Sequence, residues 1–208
     1  STEEKLRLYG EIRSAIGRRG QIIAGSCNYN TAESIELSRE AQRIGVDGIL
    51  GTVPYYNKPP QEGLYQHFRS IAEAVPLPMI LYNVPTRTVT NMLPETTIRL
   101  SEIDSIVGIK EASGNLEGIA TIIEKSSSGF RVWSGDDSST LPILSIGGYG
   151  IVSVAAHLVG TQIQRMIQAY LGRDPEAAAR LHLAMPPLGP PLSRLPHPRP
   201  LQVSPTRR

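Results

Sequence analysis

Two kinds of segment alternate along the chain: amphipathic stretches with helical spacing and short apolar runs. The first amphipathic stretch, Ser1 to Ile16, opens with Ser1 and Glu4 at the spacing of a capping box and stops at Gly17. Asn30 and Glu33 repeat that spacing and predict a second helix, which ends at Gly45. The pattern predicts further helices at 62–75, 94–100, 115–125, 138–146, 158–171 and 174–185.

Six short apolar runs lie between these helices, at 21–25, 47–53, 78–83, 106–110, 130–134 and 150–154. They are continuously apolar, which is typical of strands that are buried on both faces of a parallel sheet. The βα repetition predicts an α/β fold, an incomplete (β/α)8 TIM barrel with about six of its eight strands. Because the chain opens on a helix, we expect the first two strands to be absent and to lie before Ser1. On pattern alone, a doubly wound open sheet is the alternative.

The composition changes after Met185, where the last 23 residues hold eight of the 17 prolines. Helices and central strands do not tolerate that proline density. We therefore predict a partial TIM-barrel catalytic domain at 1–185 and a disordered Pro/Arg-rich tail at 186–208. A proline-rich recognition segment is the alternative for the tail.

Charge and cysteine content narrow the choice of partners and compartment. Lysine and arginine number 21 against 19 aspartates and glutamates, so the net charge gives no reason to expect nucleic acid or a membrane surface as a partner. The single cysteine, Cys27, excludes an internal disulfide and fits a reducing compartment. No signal-peptide pattern or membrane-length apolar run is present, and we expect a cytoplasmic protein.

Reactive side chains follow the predicted strands, and the carboxyl ends of parallel strands meet at one edge of the sheet. Lys110 ends the fourth run, where burial would lower the pKa of its amine and leave it nucleophilic. Tyr82 closes the third run, Arg87 follows it, and Tyr56 lies in the loop after the second run. An amine, phenols and a guanidinium are the groups that a Schiff-base aldolase needs as nucleophile, proton relay and carboxylate clamp.

Other candidate sites are weaker. The histidines, at 67, 157, 182 and 197, have no metal-ligand spacing, so no metal is expected. Asp136 and Asp137 are adjacent, and adjacent acids in a loop more often point apart than together. The glycine-rich run at 147–150 precedes a strand, whereas a dinucleotide fingerprint follows one, so we interpret it as a turn.

Four motifs carry a resemblance to a known family: PYYNKPPQEGLYQHF, ILYNVPTRT, GIKEASGN and SGDDSS. They occur in the right order and resemble the dihydrodipicolinate synthase and N-acetylneuraminate lyase family, with the synthase branch closer. The resemblance runs from about Leu6 to Met185. The threonine segment that the family carries at the end of its second strand has no counterpart here.

The resemblance implies specific roles. Lys110 would form the imine with pyruvate, Tyr82 and Tyr56 would relay protons, and Tyr56 would do so across a dimer interface. Arg87 would hold the carboxylate of aspartate semialdehyde. Backbone groups of Gly135 and Val152 would line the pyruvate site. No cofactor is implied.

The implied function is condensation of pyruvate with aspartate semialdehyde in lysine and diaminopimelate biosynthesis, in a homo-oligomer, a dimer or tetramer. A second hypothesis is another pyruvate-dependent lyase, acting on sialic acid or a 2-keto-3-deoxy sugar acid. Arg87 favours the synthase, because the sialic-acid lyases lack that arginine. A third hypothesis is that the chain is a non-catalytic fragment, because the threonine segment is missing.

Overall fold

The computed structural model describes residues 1–185, and the tail predicted at 186–208 lies outside them. Helices and strands alternate through the described residues, as the apolar pattern predicted. The strands are β1 (Ile23–Gly25), β2 (Gly48–Thr52), β3 (Met79–Asn83), β4 (Ile106–Glu111), β5 (Arg131–Ser134) and β6 (Gly150–Ile151). The helices are α1 (Thr2–Ile16), α2 (Thr31–Ile44), α3 (Gln61–Ala74), α4 (Pro85–Thr88), α5 (Pro94–Leu100), α6 (Leu116–Lys125), α7 (Thr140–Ser145), α8 (Ala156–Leu171) and α9 (Pro175–Ala184), with a 3₁₀ turn at Asp137–Ser139.

The six strands that the described residues contain form one parallel sheet in the order β1-β2-β3-β4-β5-β6. Every strand lies beside the next one in the chain, so the order never reverses. A doubly wound sheet reverses its strand order at a switch point, and that alternative was therefore wrong. The fold is α/β and provides six successive strands of a (β/α)8 barrel, as predicted.

The core lies between the sheet and its helices. The outward side chains of neighbouring strands, such as Leu81, Ile109 and Val132, lie in register and are at most 3% exposed. They pack in one cluster with Leu64, Phe68 and other helix residues. A smaller cluster joins α1, α2 and β1. The described residues contain no helix that is both long and apolar enough to cross a membrane.

Several element ends differ from the prediction. The first and last strands are shorter than their apolar runs, and β4 continues past Lys110 to Glu111. The short helix α4 was not predicted. The capping box at Ser1 and Glu4 is complete, whereas Glu33 accepts hydrogen bonds from the side chains of Asn28 and Asn30 and does not close the second box.

Candidate active site

One row of side chains crosses the sheet near the carboxyl ends of its strands. Strand pairing aligns Thr52 with Tyr82, Tyr82 with Lys110, and Lys110 with Trp133. Residues in register on parallel strands point to the same face, and the neighbouring outward positions are filled by the core. The row therefore lines the inner face of the barrel, where barrel enzymes carry their catalytic groups.

Lys110 is the buried amine of this row, at 7% exposure. Its Nζ lies 4.1 Å from the centre of the Tyr82 ring. Burial lowers the pKa of Lys110 to about 8; the charge of Arg87 adds to this effect and the charge of Asp137 opposes it. Near neutral pH the neutral, nucleophilic form is therefore more abundant, by about two orders of magnitude, than at the ordinary lysine pKa.

Tyr82 and Arg87 lie on either side of the turn that follows β3. Burial raises the pKa of Tyr82, and the charge of Arg87 opposes the rise. Arg87 is exposed on α4 and forms no ion pair with any described residue. The charge of Arg87 thus acts on the pKa of Tyr82 and on the pKa of Lys110, the two residues with which the sequence predicted it to share a site. A free guanidinium beside the row is suited to bind a carboxylate.

Gly135 lies against Lys110, and Val152 directly follows β6. A Cβ on Gly135 would lie 3.1 Å from Lys110 Cε and 2.9 Å from Ala112 Cβ, so glycine leaves room for the lysine. The Gly135 N–H donates to the Glu111 carbonyl at 2.7 Å, and the Val152 N–H donates to the Ser134 carbonyl at 3.0 Å. Both N–H groups are therefore already used in backbone hydrogen bonds.

The adjacent acids bind different partners, as the sequence predicted. Asp136 accepts from the hydroxyls of Ser138 and Ser139. Asp137 accepts from the Ser153 hydroxyl and, at 3.4 Å, from the Ala155 N–H, so it joins the loop after β5 to the loop after β6. Sequence reasoning did not assign Asp137 to the site, although it is the anion that raises the pKa of Lys110.

Tyr56 does not join the row within the chain. Its side chain is 90% exposed, and its hydroxyl makes no hydrogen bond with the described residues. Its backbone φ is 71°, in the left-handed region that non-glycine residues rarely adopt. Backbone strain of this kind is concentrated at functional sites, where surrounding structure maintains it.

Two buried polar residues beside the row were not identified from the sequence. Asn83 and Glu111 directly follow Tyr82 and Lys110, pair in register, and are 1% and 2% exposed. Burial raises the pKa of Glu111, and hydrogen bonds from Ser113 and Asn83 oppose the rise. The sequence could have indicated both residues, because a polar residue on the core face of a buried strand needs hydrogen-bond partners.

Neither metal-binding clusters nor thiol chemistry is evident in the described part of the chain. No three histidine, cysteine, aspartate or glutamate side chains of residues 1–185 lie together as metal ligands would. Burial raises the pKa of the Cys27 thiol to about 12, so the thiol stays protonated near neutral pH.

Comparison with known proteins identifies the family that the chain resembles. The model of the dihydrodipicolinate synthetase family matches residues 1–206, a longer stretch than the Leu6 to Met185 that the motifs indicated. A 4-hydroxy-tetrahydrodipicolinate synthase from Dehalococcoides mccartyi is 55% identical over 186 residues, which are 89% of this chain and 63% of that protein. The chain thus spans less than two thirds of the length of this relative.

Solved structures give the same match. The dihydrodipicolinate synthase from Bacillus anthracis is 44% identical, with a TM-score of 0.94 over 97% of this chain and 69% of that one. The 4-hydroxy-tetrahydrodipicolinate synthase from Methylacidiphilum fumariolicum is 40% identical, with a TM-score of 0.94 over 97% of this chain and 68% of that one.

Proposed function

The chain belongs to the dihydrodipicolinate synthetase family, and from this membership we propose that it condenses pyruvate with aspartate semialdehyde, an early step towards diaminopimelate and lysine. One observation carries the proposal: the only buried lysine among the described residues has a pKa lowered to about 8 and lies against Tyr82. A neutral amine in a desolvated site is what capture of a ketone requires.

The proposed reaction begins with attack of the neutral Lys110 amine on the C2 carbonyl of pyruvate. Loss of water gives an imine, and loss of a methyl proton then gives an enamine. The enamine carbon adds to the aldehyde carbon of the second substrate. Imine formation and the later release of the product both move protons, and a phenol beside the amine can supply and accept them.

Tyr82 is the proposed relay within the chain, supported by its contact with the Lys110 amine. Tyr56 is the proposed second relay, acting in the site of a neighbouring subunit. Its 90% exposure and strained backbone support a role completed by a second copy. We therefore propose a homo-oligomer, a dimer or tetramer. The carbonyls of Gly135 and Val152 are proposed to line the pyruvate pocket.

Arg87 is the proposed clamp for the carboxylate of aspartate semialdehyde. An arginine without an ion pair to the described residues can give both of its terminal N–H groups to a carboxylate. The proposed compartment is the cytoplasm, where the partly buried Cys27 would stay reduced.

Single-turnover chemistry tests this assignment. The chain is first incubated with pyruvate, aspartate semialdehyde is then added, and samples are reduced with borohydride and mapped by mass spectrometry. We expect borohydride to fix pyruvate on Lys110, and we expect added aldehyde to consume the imine before reduction, so that less of the pyruvate mark forms. Arg87→Ala should raise the half-saturating aldehyde concentration by about tenfold or more while leaving the pyruvate mark intact.

Arg99→Ala is the matched control, because Arg99 is an exposed arginine on α5 that pairs with Glu62. Consumption of the imine by the aldehyde that cleavage of a sialic acid or 2-keto-3-deoxy sugar acid releases, in place of aspartate semialdehyde, would support the lyase hypothesis. If pyruvate leaves no mark on Lys110, both the synthase hypothesis and the lyase hypothesis are rejected.

Thermal unfolding tests the hypothesis of a non-catalytic fragment. A folded chain that binds pyruvate should unfold cooperatively, with a midpoint that rises by roughly 5–10 °C at pyruvate concentrations far above the Kd. Lys110→Met should abolish the rise. A broad transition that pyruvate does not shift would favour the fragment hypothesis.

A further inference from the structure

The outward neighbours of Tyr82 and Lys110 form a polar pair of their own. Asn83 and Glu111 are the next residues on β3 and β4, lie in register, and point away from the inner row into the protein. Both are almost fully buried, at 1% and 2% exposure. The proposed reaction uses neither side chain, although burial of a carboxylate carries a large desolvation penalty.

The Asn83 side chain closes the loop that carries Arg87. Its Oδ1 accepts from the Met92 N–H at 3.1 Å. Its Nδ2 donates to the Met92 carbonyl at 3.3 Å and to Asn91 Oδ1 at 2.9 Å. The Asn83 amide therefore closes residues 84–91, with α4 and Arg87 among them, into a loop.

Glu111 fixes the orientation of that amide. Asn83 Nδ2 faces both carboxylate oxygens of Glu111, at 3.3 and 3.2 Å, and the Ser113 N–H donates to Oε1 at 2.7 Å. The hydrogen bonds from Ser113 and Asn83 favour the ionised form of Glu111, and an ionised carboxylate only accepts hydrogen bonds. It therefore requires Nδ2 to face Glu111, and this orientation turns Oδ1 towards the Met92 N–H.

A second contact holds the far end of the loop independently. Gln61 donates to the Asn91 carbonyl at 2.8 Å and accepts from the Leu93 N–H at 3.0 Å and the Thr96 hydroxyl at 2.7 Å. Loss of the Glu111 contact should therefore loosen the loop near Arg87 without detaching α5.

We propose that Glu111 and Asn83 are positioning residues that hold the Arg87 loop at the distance from Lys110 that the carboxylate of an incoming aldehyde requires. The inference rests on the proposed function for its chemical consequence, but the control of the loop stands on the hydrogen bonds alone. In this arrangement β3 and β4 each supply a reactive residue facing inwards and, directly after it, a positioning residue facing outwards.

Glu111→Gln is the sharpest variant, since it changes little volume but replaces one acceptor with an NH2 donor. If the oxygen of the introduced glutamine keeps the Ser113 bond, its NH2 faces the NH2 of Asn83, and Asn83 must turn over. The Met92 N–H then loses its acceptor. Adding Asn83→Asp again pairs each donor with an acceptor, because the introduced carboxylate can accept hydrogen bonds from both the glutamine NH2 and the Met92 N–H.

Hydrogen exchange of the full chain tests the loop without relying on activity. Glu111→Gln should speed exchange of the Met92 amide and of residues 85–91 by about tenfold, and the double variant should recover part of the protection. Ser38→Ala is the control; it removes a buried hydrogen bond between α2 and Ser26 and should leave this loop unchanged. Unchanged loop exchange in Glu111→Gln would overturn the proposal.

Single-turnover consumption of the pyruvate imine tests the consequence. Glu111→Gln should raise the half-saturating aldehyde concentration by about tenfold, leave pyruvate capture on Lys110 intact, and add nothing in the Arg87→Ala background. The positioning role would be overturned if Glu111→Gln raised the half-saturating aldehyde concentration by the full factor in the Arg87→Ala background as well. It would also be overturned if Glu111→Gln did not change that concentration in the wild-type background. A wild-type chain that captures no pyruvate would instead reject the proposed function, and loop exchange would still decide the role of Glu111 in the loop.

Discussion

Val89 adopts a backbone conformation that β-branched residues avoid. It follows α4 directly, with φ 59° and ψ 7°, and its side chain is 66% exposed. In this left-handed region the Cβ crowds the backbone, at a cost of roughly 1–2 kcal/mol. The turn is held nearby, because the Thr88 hydroxyl donates to the Thr90 carbonyl at 2.9 Å. The apolar pattern of the sequence does not reveal this strain, which only the dihedral angles show.

Replacing Val89 with glycine should therefore stabilise the chain. We expect Val89→Gly to raise the free energy of unfolding by about 1 kcal/mol, since relief of the strain exceeds the extra chain entropy of glycine. Urea titration measures the change. Val89→Ala retains a Cβ and should recover less. A glycine variant less stable than the wild type would contradict the strain argument.

His67 is a buried histidine whose neutral form the fold requires. Its Nδ1 lies 2.8 Å from the Thr31 hydroxyl, and burial lowers its pKa from 6.5 to about 4. Between these two values the unfolded chain binds more protons than the folded one. Stability should therefore fall as the pH is lowered through this window, by about 3 kcal/mol in all.

A variant that does not titrate isolates this contribution. In His67→Gln, the introduced amide can keep a hydrogen bond to Thr31 but binds no proton. As the pH is lowered from about 7 to about 4, the wild type should lose more stability than the variant. Urea unfolding at several pH values measures both curves. If they stay parallel, the histidine is not held neutral by burial.

At the scale of elements, β4 and β5 approach each other closely at Gly108. A Cβ there would overlap the Arg131 carbonyl oxygen and lie 2.5 Å from Trp133 Cζ3. The Trp133 ring thus fills the space above Gly108 in the strand that presents Lys110. The sequence predicted a buried strand here, whereas the need for glycine depends on the neighbouring strand and was not visible.

Gly108→Ala should destabilise the chain by about 3 kcal/mol or prevent folding. The added methyl group would meet the Arg131 backbone, which cannot move aside as a side chain can. Gly10→Ala is the matched control. Gly10 lies inside α1 with no atom within 4 Å of its ideal Cβ, so alanine should stabilise that helix by roughly 0.5–1 kcal/mol. Equal effects of the two changes on the thermal midpoint would contradict the close strand approach.

Element boundaries were the weakest part of the sequence prediction. The four residues of α4 are too short for a helical period to be detected, and they follow a strand without a polar break. Glu111 extends β4 because hydrogen bonds from Asn83 and Ser113 satisfy a carboxylate that the pattern assigned to a loop. Apolar runs thus locate strands, while polar partners decide where strands end.

At the scale of the whole molecule, the sequence order predicted which strand ends meet, and register explains why Tyr82 and Lys110 touch. Within residues 1–185 the sheet has two open edges, at β1 and β6. The role of Tyr56 is not determined within one chain, because its partners would lie in a second copy. The positioning pair of Asn83 and Glu111 needs three-dimensional contacts that sequence spacing does not give.

The central claim is that Lys110 is a desolvated amine that captures a ketoacid, and the pH dependence of its capture tests this most directly. The chain has four lysines, and Lys5, Lys58 and Lys125 are exposed internal references. Pyruvate and cyanoborohydride should mark Lys110 selectively. The rate of marking should rise with pH and reach half of its maximum at about pH 8, because the pKa of Lys110 is lowered to about 8. Marking spread over all four lysines according to their exposure, without that midpoint at Lys110, would contradict the account.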